Sequence, residues 1–117
     1  MKKILFVIYH APVGSIWPNE GFRTAFGMYG EDIEPEVLFI NQGVIAMAKE
    51  TEPAKIGLFS LKMVQRYVNK YDTKVFAEKE SLERFKVREL DENFHPEILT
   101  RAAIKEKIRD NDFVIFM

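Results

Sequence analysis

The chain contains no cysteine. That absence removes disulfides, thiolate nucleophiles and the common zinc sites together. Histidine is scarce: His10 and His95 lie far apart and share no metal-ligand spacing. Serine occurs at Ser15, Ser60 and Ser81, and none of the three stands in a G-x-S-x-G elbow. Charge of one sign is also missing, with 17 Lys and Arg against 18 Asp and Glu and a net charge of −1. A nucleic-acid binder carries a basic excess that releases counterions from phosphate, so direct tRNA or DNA binding is not expected. Long apolar runs are absent as well. The longest, Ile4 to Tyr9, is far short of the roughly 20 residues that cross a bilayer. It also lacks the longer h-region and small-residue cleavage site of a secretory signal. These features suggest a cytoplasmic protein with no membrane contact.

Phosphate loops are missing too. Gly14 and Gly21 are too far apart for G-x-x-x-x-G-K-[ST], and no Lys-Ser follows. There is no G-x-G-x-x-G. HAPVGSIWP, residues 10 to 18, is a poor flavin phosphate loop, and no strand end offers a phospho-acceptor aspartate. No cofactor and no metal are expected.

What is present is a globular composition, 47% hydrophobic and 30% charged. A length of 117 residues is read as one domain, 1–117, large enough to bury roughly 65% of its unfolded surface. KILFVIY, residues 3 to 9, is a continuous apolar run, the pattern of a strand buried on both faces of a parallel sheet. Phe22, Ala25, Phe26 and Tyr29 then stand at helical spacing, with Asn19 as cap, Gly30 as stop and Pro35 beyond. EVLFI, 36 to 40, is a second strand, and a short helix begins in VIAMAKE. A longer helix from about Leu58 to Tyr71 presents Val64, Tyr67, Val68 and Tyr71 on one face. TKVFAE is the third strand, and Ser81 caps a short helix, SLERF. VREL, 87 to 90, is read as a weak edge strand. Pro96 and Glu97 open a last helix whose Ile104 and Ile108 face inward, while Lys105, Glu106, Lys107 and Arg109 face water. DFVIFM is a buried final strand. Alternating strands and helices specify a three-layer α/β/α fold with a mostly parallel five-stranded sheet, flavodoxin/Rossmann-like in plan.

Open α/β sheets bind ligands beyond the carboxyl ends of their strands. Three loops meet there if the first three strands are neighbours: His10 to Ser15, Asn41 to Gly43, and Ala77 to Glu80. His10, Ser15, Asn41 and Gln42 are the candidate ligand-binding residues. His10 is better explained by hydrogen bonds to its own loop, because no nucleophile accompanies it. His95, beside Pro96, is read as a helix-cap position. Glu78 and Glu80 around Lys79 fit a solvated helix start. Trp17 is either a partner anchor or a side chain folded over its loop. Phe22, Phe26, Tyr29, Tyr67 and Tyr71 are read as core rather than a cofactor box, yet ten Phe and four Tyr are many for so small a domain. Trp17, Phe22, Phe26, Tyr67 and Tyr71 are therefore candidates for a subunit interface.

The ordered segments YHAPVGS, EGF, EVLFINQGV, KVFAEKESLERF and DFVIFM resemble the DsrE/DsrF-like sulfur-relay family over nearly the whole chain, most closely its TusC/DsrF branch. That resemblance implies a cytoplasmic hetero-oligomer with sister subunits of the same fold. Such complexes pass persulfide sulfur towards tRNA wobble-uridine thiolation or within dissimilatory sulfur oxidation. In the sulfur-carrying sister the cysteine ends the third strand, a place that falls at Ala77 here, to within one residue. Alanine cannot attack a persulfide, nor can the five methionine thioethers. The resemblance therefore implies a non-catalytic scaffold or specificity subunit. Asn41-Gln42 departs from the more acidic pair usual before Gly-Val. Two other readings stand beside it. One is a self-assembling homo-oligomer that binds a small ligand at the rim. The other, ranked last for want of a nucleophile–base pair, is a stand-alone hydrolase or transferase.

Overall fold

The apolar run near the amino end forms β1, Lys2–Ile8, and every side chain from Ile4 to Ile8 is buried. This computed structural model describes residues 2–10, 17–28, 33–47, 62–87, 90 and 94–117. Along them β1 is followed by α1 (Trp17–Phe26), β2 (Ile33–Phe39), a 3₁₀ segment (Asn41–Met47) and α2 (Lys62–Tyr71). Then come β3 (Lys74–Glu78), α3 (Lys79–Arg84), β4 (Glu97–Leu99), α4 (Arg101–Asp110) and β5 (Phe113–Phe116). All pairings are parallel, in the order β4-β3-β2-β1-β5. The five-stranded parallel α/β sheet read from the alternation is the one observed.

Strand order explains the layers. Three successive steps lead the same way, from β1 through β2 and β3 to β4, so connections of one hand share one face. On that face Ile4, Phe6, Ile8, Val37, Phe39, Val75 and Ala77 meet Phe22 and Ala25 of α1, Val68 of α2 and Leu82 of α3. The return from β4 to β5 runs the other way and puts α4 on the opposite face. There Ile104 packs with Leu5, Val7, Leu38 and Phe76, and Ile108 lies beside them.

The differences from the sequence reading are local. Asn19 does not cap α1, which begins two residues earlier at Trp17. Pro35 lies within β2, opposite Ile4. The fourth strand of the sheet is Glu97–Leu99, and Pro96 and Glu97 do not open a helix; of the strand expected at 87–90, Arg88 and Glu89 lie outside the described residues. Thr100 caps α4 instead, its hydroxyl accepting from the Ala103 amide at 3.3 Å. His95 is therefore no cap either; it turns the chain into Pro96 with φ at 47°. β5 is an edge strand with Phe113, Ile115 and Phe116 exposed, not a buried one. Lys107 is partly buried against Glu36, not in open water. Tyr29, Gly30, Val64 and the start of the longer helix lie outside the described residues or side chains.

Candidate functional site

β1, β2 and β3 are adjacent and parallel, so their carboxyl ends do form one rim. The chain leaving β2 is pinned to the end of β1, because Ile40 N–H donates to the Ile8 carbonyl at 3.1 Å. Gly43 then passes so close that a Cβ there would stand 2.2 Å from the Ile8 oxygen. Only glycine fits this approach. Asn41, just before it, takes φ 49°, a left-handed conformation that asparagine tolerates better than most residues.

Opposite stands the start of α3. Glu78, the last residue of β3, is the N-cap, and Ser81 follows one turn later. The usual capping box has Ser at the cap and Glu three residues on; here the order is reversed. The Ser81 hydroxyl donates to Glu78 Oε1 and accepts from the Asn41 amide at 2.8 Å. Both side chains are buried, with Glu78 only 5% exposed. Arg101, at the start of α4, places Nε 3.5 Å from Glu78 Oε2. Its amide donates to both oxygens of Glu80, at 3.1 and 2.9 Å. That backbone hydrogen bond, ahead of the other causes, holds the Glu80 carboxyl below its ordinary value of 4.5. Glu78 is thus no solvated helix start but the centre of a buried network joining β3, α3, the 3₁₀ segment and α4. Ser81 stands inside α3 and is not its cap, as the sequence reading had it, and that reading passed over Ser81 and Arg101 in this role. The three-residue spacing from Glu78 to Ser81 at a strand–helix junction was the available signal.

Of the candidate residues, His10 is half-buried after β1, with its ring 4.3 Å from that of Tyr9. Asn41 and Gln42 are exposed at the start of the 3₁₀ segment. Ser15 lies outside the described residues, as do the side chains of Trp17 and Tyr67. Ala77 is fully buried within β3, opposite Phe39 and Ile98. Among the interface candidates, Phe22 is corrected to the core. It is fully buried, with its ring 5.9, 5.6 and 5.7 Å from those of Phe26, Phe39 and Phe94. Phe26 packs partly buried against that core, and Tyr71, 6.0 Å away, is exposed.

A groove of about 410 Å³ lies away from these residues, between α3 and β4, floored by Leu82, Val87, Leu90 and Ile98. Among the described residues no group of His, Asp or Glu is arranged to hold a metal, and no helix is long and apolar enough to cross a membrane. The rim offers exposed Asn41, whose backbone amide reaches the buried Ser81–Glu78 pair, exposed Gln42 and the half-buried imidazole of His10. Among its described residues the Ser81 hydroxyl beside Glu78 is buried and already engaged by the Asn41 amide, so it is not presented as a nucleophile.

The model of the DsrE/DsrF-like family matches residues 2–117. No curated protein matches the chain. Among solved structures, the crystal structure of the ychN protein from E. coli is similar over 100% of both chains, with a TM-score of 0.83 and 18% identity. At that identity the likeness concerns the fold.

Proposed function

The chain belongs to the DsrE/DsrF-like family, and from that premise we propose that it is a cysteine-free, non-catalytic subunit of a cytoplasmic sulfur-relay complex. Sulfur relay proceeds by attack of a thiolate on the outer sulfur of a persulfide. The donor leaves as a thiolate and the acceptor becomes the persulfide. The observation that carries the reading is the absence of any cysteine in a chain that the family covers almost end to end. At the carboxyl end of β3 stand Ala77, sealed in the core, and Glu78, engaged by Ser81. Neither can accept sulfur. The subunit's contribution is then a surface beside a cysteine-bearing sister of the same fold, as a scaffold or as the element that selects the acceptor. The TusC/DsrF branch fits this role, with tRNA thiolation and dissimilatory sulfur oxidation as the two candidate pathways.

The test is to isolate the protein gently from its native host and measure the mass and composition of the complex. A mixed oligomer with a cysteine-bearing sister of similar size is expected. Copies of this chain alone would overturn the relay assignment. Attention would then turn to a small ligand at the rim, near His10, Asn41 and Gln42.

A further inference from the structure

The two faces of the sheet are covered by different means. On one, Phe22 and Ala25 of α1, Val68 of α2 and Leu82 of α3 join a cluster built of apolar side chains. On the other, Ile104 is the single buried residue of α4, with Ile108 partly buried beside it. The polar contacts that anchor α4 end on carboxylates. At its amino end the Arg101 amide donates to both oxygens of Glu80, and Arg101 Nε lies 3.5 Å from Glu78 Oε2. Near its carboxyl end Lys107 Nζ stands 3.1 Å from Glu36 Oε1 and 3.2 Å from Oε2. The turn that follows is held by Asp112, whose Oδ2 accepts from the Lys3 amide at 2.7 Å. Glu36 and Glu78 are buried, at 7% and 5% exposure.

We propose that α4 is an acid-released cover of the sheet. As pH falls through the carboxylate range it lifts away and uncovers Leu5, Val7, Leu38 and Phe76, while α1 and α2 stay packed on the opposite face. This inference goes beyond the sulfur-relay reading and does not rest on it.

The charges facing α4 give the direction. A cleft of about 330 Å³ beside the helix is lined by Lys3, Glu36, Lys74 and Glu97 from β1 to β4 and by Glu106, Lys107 and Asp110 from α4 itself. Four carboxylates there balance three lysines. Protonated, they leave three cations and no anion along it, and Lys107 loses the partner that offsets its burial. At the amino end the facing groups are Lys79 and Glu80 of α3 and Glu78 of β3. Glu80 is held below its ordinary value chiefly by the Arg101 amide. Its hold on α4 is therefore intact above that value and lost as pH falls through the lowered one. Phe22, Ala25 and Val68 carry no titrating group, so the apolar hold of α1 and α2 does not change with pH.

The test is amide hydrogen exchange read by NMR on the full chain, corrected for intrinsic rate, from about pH 7 to about pH 4. Protection at Ile104 and Ile108 is expected to fall at least about tenfold over that range, while Phe22 and Ala25 of α1 change less than about threefold. Glu80→Gln keeps an acceptor but no titrating group, and should shrink the fall at Ile104 by at least about threefold. Glu36→Leu combined with Lys107→Met should do the same at Ile108. Glu80 is not a buried side chain, so its variant remains decisive if the double variant folds poorly. Loss of protection in α1 and α4 together at one pH overturns the proposal. So does α4 protection that holds down to about pH 4, or a fall undiminished in the variants.

Discussion

Lys86 adopts φ 57° immediately after α3. The Val87 amide donates to the Leu82 carbonyl at 2.9 Å and the Lys86 amide to that of Glu83 at 3.2 Å. This is a Schellman ending whose left-handed position normally holds glycine. Asp72 does the same after α2, with φ 52° and the Thr73 amide on the Val68 carbonyl at 3.1 Å. A lysine there costs roughly 1 kcal/mol, and glycine's larger unfolded-state freedom takes back part of the gain. Lys86→Gly is therefore expected to raise stability by about 0.5 kcal/mol, measured as a higher urea midpoint at constant slope. The sequence reading placed both ends correctly, at Phe85 and Tyr71, but without glycine to announce it the left-handed turn was not legible. The burial of Glu78 was hidden for a related reason. A charged run predicts solvation, whereas β3 carries its last carboxylate inside before the chain emerges.

Among the elements, α4 shows best what periodicity reveals and what it misses. The spacing of Ile104 and Ile108 set its inward face correctly. Its start was misplaced because Pro96 and Glu97 mimic a helix opening, while Thr100 and the Glu80 carboxylate of α3 supply the real one. Glu80 is held below its ordinary pKa, so its contribution is present above that value and fades as pH falls through the lowered one. The other end of α4 rests on a charge pair. Lys107 Nζ lies 3.1 Å from Glu36 Oε1 and 4.0 Å from the centre of the Phe76 ring. Glu36 is buried in mid-sheet, so removing its partner strands a charge. Lys107→Ala is expected to cost about 3 kcal/mol, and Glu36→Leu combined with Lys107→Met to recover most of it. Chemical denaturation of Glu36→Leu, Lys107→Met and the double variant measures the coupling. If Lys107→Ala costs nothing, Glu36 must reach water by another route.

For the whole molecule, β1 and β2 lie inside the sheet with a helix layer on each side, while β4 and β5 are edges. Local opening follows burial and pairing. Amide hydrogen exchange at low protein concentration should be slowest at Phe6, Val7, Val37 and Leu38 and markedly faster along Glu97–Leu99. Uniform protection across all five strands would contradict this gradient.

The sequence by itself determined the class of the fold and the chemistry the chain lacks. Apolar runs and helical spacing are local and survive in one dimension, and a missing thiol is missing in any fold. Only the tertiary structure decided which charges are buried, where the fourth strand lies and that the last one is an edge. β4 and β5 are short, and their position depends on strand order. Nothing local in DFVIFM distinguishes a strand flanked on both sides from one with a free side.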